Sequence, residues 1–297
     1  MAYNSPSCVA VLKNTGLSNC KDELLYDAML VWTTNAFQFA SEADAEDESK
    51  WIDGINLGTV FPHPIFDEVE PALEDDVEQE TGIGASLFVR EGKYGGLGRA
   101  ITALCNLANL RTFNEVTGRA FIITGNGKVY GTSPDGVIFR GFSLSEFHIG
   151  MLGGSDGSTK RMVPFEYQFK LPTEMADFPA VPQLTWDPLT QLVGVVDVVV
   201  AEVGSSTDAL VVLSVIRTCD NEVVTGLVET DFTILASDGS TEMIQAGLFT
   251  DNADGTYSFV FTTPVLPADT YTANLKTPTA QTTGQIESTG VVTFVIS

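Results

Sequence analysis

Apolar positions in this chain fall into short alternating runs separated by Gly, Asp, Asn and Pro, a rhythm that predicts strands rather than helices. It is clearest after Ser205. There "ALVVLSVIRTC", "DFTILAS", "MIQAGLFT", "GTYSFVFTT", "TYTANLK" and "GVVTFVIS" follow one another with turn residues between them. Such spacing is the signature of a β-sandwich. Upstream, "RAFIIT", "KVYGT" and "VIFRGFSL" read as a meander, turning at Asn126–Gly127 and at Pro134–Asp135–Gly136. "FHIGMLGG" and "KRMVPFEYQFKLP" add strands around a polar turn at Ser155–Thr159, and "QLVGVVDVVVAEV" reads as the last strand of a first domain. The expected domains are therefore 1–204 and 205–297.

Two segments carry a helical period instead. Asp22–Trp32 places Leu25, Ala28, Met29 and Trp32 on one face, with Asp22 and Glu23 where a helix N-terminus favours negative charge. From Leu97, a stripe of Leu97, Ile101, Leu104, Cys105 and Ala108 predicts a helix docked on a sheet as core. Between Glu42 and Glu80 there are 14 acids against one base, Lys50, with Pro62, Pro64 and Pro71 interrupting any regular element. This predicts a long exposed acidic loop, ordered against a neighbouring subunit or disordered. The fold class expected is mainly β: an N-terminal β-sandwich or barrel with one or two flanking helices and this loop, then an immunoglobulin-like β-sandwich.

Composition sharpens that picture. Hydrophobic residues make up 44% of 297 residues and charged ones 18%, ample for a packed core. No apolar run approaches bilayer length, and the start shows no basic stretch followed by an apolar segment, so neither membrane insertion nor a signal peptide is expected. Net charge is −24. Residues 1–204 hold 28 acids and 13 bases (−15), and the remainder 11 acids and 2 bases (−9). A surface so acidic repels nucleic acid rather than gripping its phosphates. A channel that DNA slides through would share this charge, but on charge alone the simpler reading, an abundant protein kept soluble, prevails.

Candidate chemistry is thin. "DNADGTYSFVF" (251–261) begins like a calcium loop, yet Ala253, Thr256 and Thr262 stand where an EF-hand needs a ligand, a Gly and a Glu. It reads as a turn into a strand, with Asn252 and Gly255 at positive φ. "GKYGGLG" lacks the Lys and hydroxyl of a phosphate loop and reads as turn glycines. Cys8, Cys20, Cys105 and Cys219 are scattered, as in free thiols of a reducing compartment. His63 and His148 have no ligand-like or triad-like context. No catalytic residue, cofactor or metal site is expected.

Two resemblances add to this. "DNADGTYSFVF…LPADTYTANL" resembles the filamin- and invasin-like bacterial immunoglobulin repeats, in which an Asp-Gly-Thr-Tyr turn enters one strand and a Gly-Thr-Tyr-like element begins a later one. Asp254–Gly255–Thr256–Tyr257 matches the first; Asp269–Thr270–Tyr271 matches the second with Asp in place of Gly. The first two-thirds is similar in architecture to the tail tube proteins of tailed bacteriophages. The similarity rests on the acidic excursion Glu42–Glu80, the helix around Leu97–Leu110, the meander Arg119–Leu144 and the terminal sandwich. It implies a non-enzymatic virion subunit, made in the host bacterial cytoplasm, whose rings stack around a channel that passes DNA without binding it. Partners implied are further copies, other virion proteins and host-surface glycans. The candidate assembly or channel residues are Asp67, Glu68, Glu70, Glu74, Asp75, Asp76, Glu78 and Glu80. Capsid decoration, neck, head-fibre and surface adhesin proteins form the alternative class.

Overall fold

A computed structural model of the chain describes residues 25–80, 86–102, 104–154, 160–204, 206–207, 210–239, 248–260, 269–282, 285–288 and 290–296. The chain divides into two compact units, Met1–Val193 and Gly194–Ser297, and is mainly β, as expected.

The first unit contains β1 (Asp27–Thr33), α1 (Glu42–Glu46), α2 (Glu48–Asn56), β2 (Val60–Pro62), β3 (Glu68–Leu73), β4 (Val77–Glu80), β5 (Ser86–Arg90) and β6 (Tyr94–Ala100). Then come α3 (Leu104–Leu110), β7 (Arg119–Thr124), β8 (Val129–Thr132), β9 (Phe142–Ile149), β10 (Val163–Phe169), α4 (Pro172–Ala176), β11 (Pro179–Ala180) and α5 (Pro188–Gln191). Nine strands make one sheet, ordered β11-β8-β7-β9-β10-β6-β3, with β1 bridging β7 to β2. Every residue of β1 and β7 is buried, because apolar layers cover both faces of that pair. Leu30, Trp32, Ala120 and Ile122 join one layer with Phe142, Phe165 and Phe169. On the opposite face Phe121 meets Trp51 of α2 at 4.9 Å and Phe139 at 5.0 Å.

Several expectations are corrected here. Asp22–Trp32 is not a helix: from Asp27 it is the strand β1, and a strand buried on both faces shows no alternation to betray it. The stripe from Leu97 divides into the end of β6 and the short α3. Ile101, Cys105 and Ala108 are exposed, and Leu107 and Leu110 pack on the core instead. Glu42–Glu80 is not a loop. Ser41 caps α1 by accepting from the Asp44 amide, and Asp47 caps α2 by accepting from Ser49, so part of the acidity is helix-cap chemistry. Pro71 sits on β3, an edge strand, where a missing amide is tolerated.

Three of the four glycines of "GKYGGLG" also prove not to be turn residues; Gly92 alone lies in the connection between β5 and β6. Gly95, Gly96 and Gly98 lie within β6, facing the aromatic strand β10. A Cβ on Gly96 would fall 2.5 Å from the Tyr167 hydroxyl, and one on Gly98 2.6 Å from the Phe66 ring. Cys105 and Cys219 are disulfide-bonded, not free thiols; Cys8 and Cys20 lie outside the described residues, as does the turn expected at Ser155–Thr159.

The second unit contains β12 (Val196–Glu202), β13 (Leu210–Arg217), β14 (Phe232–Leu235), β15 (Leu248–Asp251), β16 (Thr256–Val260), β17 (Asp269–Leu275), β18 (Ile286–Ser288) and β19 (Val292–Ile296). Two sheets, β15-β16-β13-β12-β18 and β14-β17-β19, face each other across a core that includes Val198, Val211, Leu213, Phe232, Tyr257, Phe259, Tyr271 and Phe294. In chain order this is the A-B-E-D and C-F-G connectivity of a constant-type immunoglobulin domain. β18 pairs parallel with β12 before the chain crosses to the other sheet as β19. β12 therefore opens this sandwich rather than closing the first domain, so the boundary precedes the expected Gly204.

Asp251–Gly255 is a turn joining β15 to β16. Asp251 Oδ1 accepts from the Ala253 amide, its Oδ2 accepts from Gly226, and Asp254 Oδ1 accepts from the Thr256 amide and hydroxyl. The left-handed positions are Ala253 (φ 61°) and Gly255 (φ 81°), not Asn252. A Cβ on Gly255 would also approach that of Val223 to 2.5 Å.

Candidate assembly arm and pocket

β3 and β6 pair from Glu68↔Arg99 to Leu73↔Tyr94, and the ribbon continues through Val77↔Arg90 to Glu80↔Ser86. β10 accompanies β6 only as far as Gly95, so β4 and β5 run on as a two-stranded arm. The arm exposes Leu73 (73%), Leu87 (56%), Phe88 (60%) and Val89 (55%), a concentration of apolar surface that solvent does not favour.

All eight candidate carboxylates lie along this ribbon, and several of them build it. Asp67 Oδ2 accepts from the Ile101 amide at 3.1 Å. Glu68 and Glu70 flank Arg99 at 3.4 and 3.0 Å. Glu74 accepts from Gln168 at 2.8 Å and pairs with Arg90 at 3.3 Å; these donors hold its carboxyl below the usual range. Asp76 accepts from the Gly92 amide at 2.9 Å, at the irregular junction between the two ribbon halves. Asp75 and Glu78 are exposed. Glu80 contributes a backbone pair with Ser86, and its side chain lies outside the described residues. Exposed pairs of this kind add little stability.

Beside the base of the arm lies an open pocket of about 460 Å³, lined by residues that include Leu25, Asp27, Leu73, Glu91, Tyr94, Ile122, Tyr130 and Met175. Asp27, at the start of β1, is only 8% exposed. Its Oδ2 accepts from Tyr94 at 2.9 Å and from Tyr167 at 2.6 Å. Burial first, then the Asp27 charge, pushes both phenols well above the ordinary tyrosine range, so both remain donors. Tyr130 shifts the same way for the same reasons and donates to the Met175 carbonyl at 3.3 Å.

One pocket wall is fixed by a buried ion pair. Arg119 Nη2 meets Glu174 Oε1 at 2.6 Å, Arg119 Nε donates to the Gly141 carbonyl, and the Ser143 amide donates to Glu174 Oε2. This clamp ties α4, which carries Met175 and Ala176, to β7 and β9.

Nothing in sequence spacing signals the pocket: Asp27, Tyr94 and Tyr167 lie 67 and 140 residues apart. The glycine opposite Tyr167 is the nearest thing to a clue. The histidines behave as ordinary fold residues. His148 is exposed on β9. His63 is buried against Phe113, Phe147 and Phe165. Neither of its ring nitrogens has a hydrogen-bond partner among the described residues, and burial pushes its pKa down to about 3. Among the described residues no group of His, Cys, Asp and Glu is arranged to hold a metal, and no helix is long and apolar enough to cross a membrane. The chain matches no known protein-family profile and no curated protein.

Proposed function

We propose that this protein is a non-enzymatic structural subunit of a phage virion, a tail tube protein that assembles into stacked rings. The observation that carries the reading is the β4–β5 arm. A lone two-stranded hairpin is at best marginal in water, and this one bears Leu87, Phe88 and Val89 exposed across both of its faces. Such a ribbon gains most when it packs on another protein surface, and a second copy is the partner a ring subunit always has. The acids beside it keep the arm soluble before assembly and repel DNA afterwards. The immunoglobulin-like unit would stand outside the ring, available for weak contact with host-surface glycans.

Light scattering on the chromatographed full-length protein, followed by negative-stain microscopy, tests the reading. Rings or tubes with a central channel are expected. A monomer at every concentration, which stays monomeric when nucleated with virion components, would overturn it and favour a decoration protein.

A further inference from the structure

We propose that the pocket around Asp27 binds a small organic cation, a protonated amine carried on an apolar body. Asp27 makes no ion pair among the described residues, although the residue is only 8% exposed. Buried charges are ordinarily matched by a charge or by several donors. Among the described residues its side-chain donors, Tyr94 and Tyr167, converge on Oδ2. The carboxylate lines the pocket, and Glu91 adds a second negative group to the same lining. Among the described residues no lysine or arginine lines it.

Apart from Thr124, the remaining side chains of the lining are apolar or aromatic, Leu25, Leu73, Ile122, Tyr130 and Met175 among them. Two aromatic faces, Tyr94 and Tyr130, suit a cation further. At about 460 Å³ the space falls within the size range of small-molecule sites. An anion would meet Asp27 and Glu91 unscreened, and a neutral ligand would leave the carboxylate without a countercharge. An ammonium at Asp27, with its hydrocarbon against Ile122 and Met175, satisfies both parts of the pocket. The site shares Leu73, Glu91 and Gly92 with the base of the arm, but the assignment does not rest on self-assembly.

Calorimetric titration of the full-length protein with phenethylamine at neutral pH, beside its uncharged counterpart 2-phenylethanol, tests the assignment. Saturable binding of phenethylamine is expected, at least tenfold tighter than 2-phenylethanol and weakened at least tenfold by Asp27→Asn. Ala176→Trp, which places an indole on an exposed pocket-lining position, should abolish binding while leaving Asp27 and its tyrosines in place. That variant decides the matter if Asp27→Asn does not fold. Absence of saturable binding, equal affinity for the alcohol, or undiminished binding by Ala176→Trp would each overturn the proposal.

Discussion

β1 with β7 and β4 with β5 are antiparallel pairs within one unit, and they lie at opposite extremes of burial. Every residue of β1 and β7 is enclosed between two apolar layers, whereas each described side chain of β4 and β5 is exposed. Backbone pairing is common to both, so pairing is not what separates them. The first pair is held by burial on two faces. The second is held by its ladder, by Arg90–Glu74 and by Asp76 on the Gly92 amide, all weak in water. A strand pair of the first kind is a scaffold; one of the second kind exposes apolar surface that the proposed assembly would cover.

Breaking the buried side of that contrast should have the largest effect. Trp51→Ala removes the ring that meets Phe39 and Phe121, and the indole bond to the Ala45 carbonyl. It should destabilise the first unit by about 3–5 kcal/mol in urea denaturation. A loss under about 1 kcal/mol would mean that α2 does not close that face. Glu174→Gln strands the Arg119 guanidinium in a mostly buried site and should cost roughly 3 kcal/mol. Replacing both partners with Met should recover much of that loss, and failure to do so would show that Ser143 and Gly141 depend on the charges.

His63 sharpens the same contrast through pH. Its folded pKa is depressed, to about 3 from 6.5, so its contribution is fully present above pH 6.5 and is lost as pH falls towards 3. His63→Leu should reduce the stability difference between pH 6.5 and pH 4 by up to roughly 3 kcal/mol. An unchanged acid limb would place the acid sensitivity elsewhere. On the exposed side, Phe88→Ser should change monomer stability by less than about 0.5 kcal/mol, yet reduce self-association measured by light scattering. If assembly is undiminished, the arm is not the contact.

Much of the second unit is legible in sequence because its strands have one buried face. Tyr257 and Phe259 point into the sandwich core while Thr256, Ser258 and Val260 are only partly buried, and that alternation is visible in the letters. β12 is the exception. Its run is as apolar as a closing strand of the preceding domain would be, and only its pairing with β13 and β18 assigns it. The first unit is harder for the same reason reversed. "DAMLVWT" carries no period because both its faces are buried, so helix and strand fit it equally until β7 is seen alongside.

The acidic segment shows a further limit. Its exposure is evident from composition, and the candidate carboxylates do lie together on one ribbon. That Glu74 reaches Gln168 and that Pro71 sits on a sheet edge depend on neighbours distant in the chain, whereas the Asp47 cap on Ser49 is local chemistry that the proline count obscured. Sequence by itself determined the β class, the two-part organisation, the turn at Asp251–Gly255 and the acidity, because each rests on local periodicity, turn chemistry or a count of charges. Tertiary structure alone decided the strand identity of β1, the projecting arm and the pocket at Asp27. The first and the last come from residues separated by tens of positions, whose meeting is fixed by strand pairing and burial; the arm is a local hairpin that projects because β10 stops accompanying β6 at Gly95.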